Sequence, residues 1–260
     1  MTARSRAGHQ RSTRTGRRGL AALGAVALAL PLLGGTASAQ SFIEPGNECT
    51  VPAPPAQFAD RGQILGVHAP QVDCAVAQAI ALGRNGNRYE PAADMRRDQM
   101  ASLIARTLEA GGFRLPAARP SQFRDVPEGS THDDRISQLA QIGVVLGKTA
   151  DRYDPAEPVR RDQMASFMVR AANYAYMDAA GNNDELRGNT TPGYVLPFTD
   201  VLATNPHRDS IAAGDDLIEV VQGRTATQFD PASPTRRDQM ATFVVRLLDV
   251  TAVPESTLPK

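Results

Sequence analysis

The chain has 260 residues, with 28 basic and 28 acidic side chains, two cysteines and no tryptophan. Six arginines before Leu20 have no acidic counterpart, so the remainder holds 22 basic against 28 acidic residues. That acidic balance argues against a nucleic-acid or anionic-membrane binder working through bulk charge, and the length suits one or two domains or three small repeats.

Residues 1–39 read as an export signal. The arginines lead into an apolar run from Leu20 to Leu33, and Ala37-Ser38-Ala39 forms an A-x-A cleavage site. The run is too short for a spanning helix, and no later run reaches membrane-spanning length. Arg17-Arg18 permits either a twin-arginine or a general secretory route. Residues 40–57 form a linker broken by Pro45, Pro52, Pro54 and Pro55. Cys49 lies in it, with Cys74 as the one available intrachain partner. An exported chain meets an oxidising compartment, so a disulfide is expected; no CxxC or third thiol supports a redox or metal role.

Beyond the linker the chain writes one hexapeptide, RRDQMA, three times: Arg96–Ala101, Arg160–Ala165 and Arg236–Ala241. Self-similarity at this period marks supersecondary units that bury their apolar faces against one another. Each unit opens on Phe-x-Asp, at Phe58, Phe123 and Phe198. A first helix follows, ending at a glycine and a base: Gly83-Arg84, Gly147-Lys148 and Gly223-Arg224. Glycine there suits the left-handed position beyond a helix. A short extended piece holds Tyr89-Glu90-Pro91, Tyr153-Asp154-Pro155 or Phe229-Asp230-Pro231, and a second helix is expected to begin near Asp94, Pro158 and Pro234. Its core face is legible in Met100, Leu103, Ile104 and Leu108, and in the matching residues after Met164 and Met240. Aspartates 60, 125 and 200 read as turn or cap residues. Gly214-Asp215-Asp216 is expected to weaken the first helix of the third unit.

Arg96-Arg97, Arg160-Arg161 and Arg236-Arg237 then fall in the first helical turn, where positive charge opposes the macrodipole. Two compensations are open on physical grounds. One is pairing with Asp98, Asp162 and Asp238; the other is an anionic ligand held by helix N–H groups and arginine forks. His68, His132 and His207 recur near the start of the first helices and could pack there or meet at a metal; packing is the expected reading. Segment 173–197, rich in Gly and Asn, reads as a surface loop whose tyrosines, Tyr174, Tyr176 and Tyr194, cover a repeat junction or stack on sugar. No catalytic motif is present among those searched: GxSxG, HExxH, a Cys/His nucleophile pair or a phosphate-cradling glycine loop.

The unit of Phe-x-Asp-Val, helix, glycine plus base, Tyr/Phe-x-Pro and a basic helix opening resembles the S-layer homology domain, in three tandem copies over roughly residues 58–250. The resemblance implies a mainly α fold of three helix–loop–helix repeats, pseudo-threefold and three-pronged around a central helix bundle. The expected divisions are signal peptide 1–39, linker 40–57, repeats at 58–119, 120–178 and 198–250, an inserted loop at 179–197 and a tail at 251–260. It also implies non-covalent anchoring of an exported, non-enzymatic protein to acidic, often pyruvylated, cell-wall polysaccharide, without a cofactor or metal. An envelope adaptor holding another exported protein is the alternative, and a cell-wall hydrolase accessory the distant one. The family's TRAE tetrapeptide, whose arginine reads ligand, corresponds here to RRDQ. Arg97, Arg161 and Arg237 take that arginine's place, with Arg96, Arg160, Arg236, Arg84, Lys148 and Arg224 as the further candidates for polysaccharide contact.

Overall fold

The second helices form the centre of the molecule. In the computed structural model, which describes Cys49 and residues 53–84, 86–180 and 190–251 (the side chains of 177–180 aside), six α-helices appear among the described residues. They are α1 (Ala69–Ala77), α2 (Arg97–Ala110), α3 (Asp133–Gln141), α4 (Arg161–Ala180), α5 (Arg208–Asp216) and α6 (Arg237–Thr251). The fold is mainly α, and isolated backbone bridges are the only β-type pairing described. The expected signal peptide and most of the linker lie outside the described residues.

Helices α2, α4 and α6 touch one another, and each shorter helix lies on the long helix of another unit: α3 on α2, α5 on α4, α1 on α6. The contacts therefore close into a cycle. Met100, Met164 and Met240 are fully buried with Ile104, Leu108, Met168, Val244 and Leu247, so the helical stripe seen in the sequence is the core. Segment 173–180, expected as loop, continues α4 as helix; Tyr174 rests edge-on against Phe113 and donates to the Arg114 carbonyl at 2.9 Å. Cys49 and Cys74 are disulfide-bonded, tying the linker to α1.

The second helices start three residues later than the sequence suggests. Residues 94–96, 158–160 and 234–236 are extended and bridge to one another: Asp94 with Arg236, Arg96 with Pro158, Arg160 with Pro234. At their centre three amides form a closed ring. Met95 donates to the Thr235 carbonyl, Thr235 to Val159, and Val159 to Met95, each at 2.8 Å. The two prolines expected inside the helix sit in these bridges, where a missing N–H costs nothing because the ring uses the neighbouring residue.

The glycines before the bases also act differently from expectation. The left-handed residues are Ala79, Gly143 and Glu219, each four positions earlier. Gly83, Gly147 and Gly223 serve close approach. A Cβ on Gly147 would lie 2.2 Å from the Thr149 carbonyl oxygen and 2.6 Å from both the Arg152 oxygen and the Phe123 ring. Gly214 is likewise a contact residue inside an intact α5, since a Cβ there would stand 2.5 Å from Val221. Because the atoms facing Gly147 are backbone, Gly147→Ala should destabilise the fold by about 2–3 kcal/mol. Urea unfolding against the parent protein checks this.

Candidate functional site

Each hexapeptide begins with an arginine at the helix N-cap and a second at the first helical position. The first of the pair is occupied locally. Arg96, Arg160 and Arg236 reach over to Asp98, Asp162 and Asp238 two residues on, with shortest contacts of 2.5, 2.9 and 2.5 Å. These carboxylates also accept from the next backbone N–H, Gln99, Gln163 and Gln239. In the second and third copies the glutamine side-chain oxygen also accepts from the N-cap amide, one half of a capping box.

The second arginine of each pair is buried: Arg97, Arg161 and Arg237 are 3%, 4% and 6% exposed. Each joins its own helix to another repeat. Arg97 Nε donates to the Tyr153 carbonyl at 2.8 Å and its Nη2 to Leu146 at 3.1 Å. Arg161 does the same with Phe229 and Gln222, and Arg237 with Tyr89 and Leu82. The guanidinium carbons lie 4.5, 4.8 and 5.0 Å from the Tyr153, Phe229 and Tyr89 ring centres. Tyr153 and Tyr89 reciprocate through their hydroxyls to the Arg97 and Arg237 carbonyls. Burial pushes the Arg161 guanidinium down to about 10 and lowers that of Arg237.

The helix N–H groups are filled too. Those of Arg97 and Asp98 donate to Glu157 and Pro155, those of Arg161 and Asp162 to Ser233 and Pro231, and those of Arg237 and Asp238 to Ala93 and Pro91. Carbonyls of another repeat thus take the place where an anion bound to helix N–H groups was one expectation. The misplaced charge is compensated by the neighbouring aspartate and by these carbonyls.

Around this framework run grooves. One of about 570 Å3 is lined by Gly83-Arg84, Gln99, Ser102, Arg106, His132 and Arg237, among others. Another of about 270 Å3 has the matching residues Gly223-Arg224, Gln239, Thr242, Arg246, His68 and Arg161. Arg237 and Arg161 therefore belong to groove walls as well as to the joints between repeats. Arg84 and Arg224 sit at the rims, half exposed and paired with acids, Arg84 with Glu90 at 2.5 Å and Arg224 with Asp230 at 3.0 Å; Lys148, the matching base of the second unit, pairs with Asp154 and Glu157. Arg106 and Arg246 line the same two grooves and were missed by the sequence reading, as was Arg170 at the matching position of α4. Each lies nine residues beyond the second arginine of its hexapeptide, and that constant spacing was the signal for them.

The histidines face hydroxyls on the helix beneath. His132 Nδ1 lies 2.8 Å from Ser102 Oγ, His207 Nδ1 2.8 Å from Ser166 Oγ, and His68 Nδ1 2.8 Å from Thr242 Oγ1. Each caps a different short helix. Among the described residues no group of three or more His, Cys, Asp or Glu side chains could hold a metal ion. The Phe-x-Asp aspartates fix the extended pieces, as their reading required. Asp125 accepts from the Tyr153 and Asp154 amides at 2.9 and 2.8 Å; Asp60 and Asp200 repeat the pattern with residues 89–90 and 229–230. They hold Glu90, Asp154 and Asp230 in the left-handed region.

Two predictions follow from these contacts. Arg161→Lys keeps the charge but loses the fork that spans Phe229 and Gln222, so stability should fall by about 2–3 kcal/mol, read as a lower urea midpoint at an unchanged slope. Acid should act in two windows. Burial pulls His68 and His132 below the usual imidazole value despite Asp238 and Asp98 nearby, so the stability they carry is full above about pH 6.5 and is lost as pH falls through their folded values. For Asp60, Asp125 and Asp200, burial raises the pKa, but their backbone donors and a nearby arginine together outweigh it and hold them below the ordinary carboxylate value. Their contribution is present above about pH 4 and is lost below it. Thermal melts across pH 3–8 should show both steps, and Asp125→Asn should shrink the lower one.

Comparison with known proteins agrees with this architecture. Residues 122–165 match the family model described as "S-layer homology domain". The chain is 24% identical over 181 residues to an endoglucanase of Bacillus sp. (strain KSM-635), covering 69% of this chain and 17% of that protein. It is 25% identical over 96 residues to an S-layer protein of Bacillus thuringiensis subsp. finitimus, covering 37% of this chain and 12% of that one. The chain thus spans under a fifth of the length of either relative. Among the described residues no helix is long and apolar enough to cross a membrane. The chain carries an S-layer homology domain at residues 122–165.

Proposed function

We propose that the chain is an exported, non-enzymatic module of three tandem S-layer homology repeats in a three-pronged arrangement, anchored non-covalently to an acidic cell-wall polysaccharide held in the grooves between the repeats. The observation that carries this reading is the recurrence of one basic groove. A rim base and an arginine of the second helix from one repeat meet a wall arginine from another, Arg84 and Arg106 with Arg237 in one groove, Arg224 and Arg246 with Arg161 in the other. Carboxylate groups on a polymer suit such a site because guanidinium forks bind them with two parallel hydrogen bonds. The rim acids give way readily, since half-exposed ion pairs contribute at most about 1 kcal/mol. The likeness to 17% of an endoglucanase supports a module that a larger protein can carry; hydrolysis is not part of this reading.

The roles within the groove follow from burial. Arg84, Lys148 and Arg224 meet the ligand first, Arg106, Arg170 and Arg246 stand behind them, and Arg97, Arg161 and Arg237 form the fixed wall. Arg96, Arg160 and Arg236 serve the helix start through their aspartates. Replacing all three of Arg97, Arg161 and Arg237 would test folding before binding, so the informative variant lies at the rim.

Sedimentation with purified wall, before and after removal of its non-peptidoglycan polymer, tests the function. Binding should require the polymer and weaken about tenfold or more in the Arg84→Gln, Lys148→Gln, Arg224→Gln triple variant, from loss of charge-assisted hydrogen bonds. Undiminished binding by that variant would sink the rim assignment. Recovery of an exported protein irrespective of the polymer would favour an envelope adaptor, and release of soluble sugar a hydrolase.

A further inference from the structure

The grooves share a plan but differ at the residue before the glycine, which is Leu82 in the first, Leu146 in the second and Gln222 in the third. The leucines are half exposed and offer no side-chain acceptor. Gln222 does. Its Oε1 accepts a hydrogen bond from Arg246 Nη2 at 2.7 Å. The matching arginines point elsewhere, Arg106 to the Ile80 carbonyl at 3.3 Å and Arg170 to the Val144 carbonyl at 3.0 Å. The groove containing Gln222 and Arg246 is also the smaller, at about 270 Å3 against about 570 Å3 for that of Leu82 and Arg106.

We infer that Gln222 is a selectivity residue that latches Arg246 across the third groove, leaving the groove of Arg84 and Arg106 as the open site for an anionic ligand. An amide oxygen in hydrogen-bond contact with a guanidinium occupies the position a carboxylate oxygen would take. An anion entering the third groove must displace it, while an anion entering the first meets an apolar leucine at the same place. The ligand class rests on the function proposed above; the latch itself does not.

Guanidinium modification tests the latch without any polymer. In the native protein treated with phenylglyoxal, peptide mapping should show Arg106 reacting about fivefold faster than Arg246 or more, the effect of one charge-assisted hydrogen bond. Gln222→Leu should bring Arg246 close to the Arg106 rate. Equal rates in the parent protein, or no change in the variant, would overturn the inference. Titration calorimetry with an acidic wall-polysaccharide fragment supplies the second arm. Arg106→Gln should lower affinity about tenfold, and Gln222→Leu should add a site per chain. A parent protein that bound no fragment but kept the reactivity contrast would remove the proposed function and leave the latch standing.

Discussion

The structure depends on the ring of three amides at Met95, Val159 and Thr235. Each donates to a carbonyl in a different repeat, so no pair of repeats completes the ring. A lone hydrogen bond of this kind contributes only about 1 kcal/mol net, but an unmade one in a buried position costs more than that. Thr235 and Val159 are fully buried and Met95 nearly so, hence any slip of one repeat against the others leaves polar backbone without water. The ring fixes where the second helices begin, and so where the arginine pairs fall. The joints made by Arg97, Arg161 and Arg237 lie one turn outward and repeat the same logic with side chains.

A helix start with two adjacent positive residues would be a poor design in isolation. Here the pair is divided between two tasks. The N-cap arginine holds the aspartate that carries the negative charge the dipole favours, and the next arginine leaves its own helix to close a joint. The helix N–H groups then receive carbonyls from the same neighbouring segment that receives the arginine. Electrostatics at each helix start and the assembly of the repeats are thus one arrangement, and the grooves are the space left beside it.

Much of this was legible because the chain repeats itself. Met100, Met164 and Met240 at equivalent places identified the core, and the three Phe-x-Asp aspartates identified the turns. What escaped reading depended on partners distant in sequence. Nothing local distinguishes a proline in the first helical turn from one in a bridge, and Pro158 is in a bridge because Arg96 lies opposite it. Gly147 resembled a helix terminator, yet its role is set by the Phe123 ring and two carbonyls that fold back on it. Arg106, Arg170 and Arg246 were hidden by interpretation more than by physics, since they stand outside the hexapeptide that drew attention and share its spacing.

The joint from Arg237 back to Tyr89 spans 148 residues of sequence. Open solenoids gain stability repeat by repeat, and units can be added or removed at their ends. A closed ring has no end repeat. Its last joint forms only when the final helix meets the first repeat, so loop-closure entropy must be met before the cycle rewards it. Such a module is expected to fold and unfold as one cooperative body, to lose its grooves on deletion of any one repeat, and to resist mechanical peeling from either terminus. In the anchoring role proposed above, closure means that a pull on either terminus loads the same ring of joints.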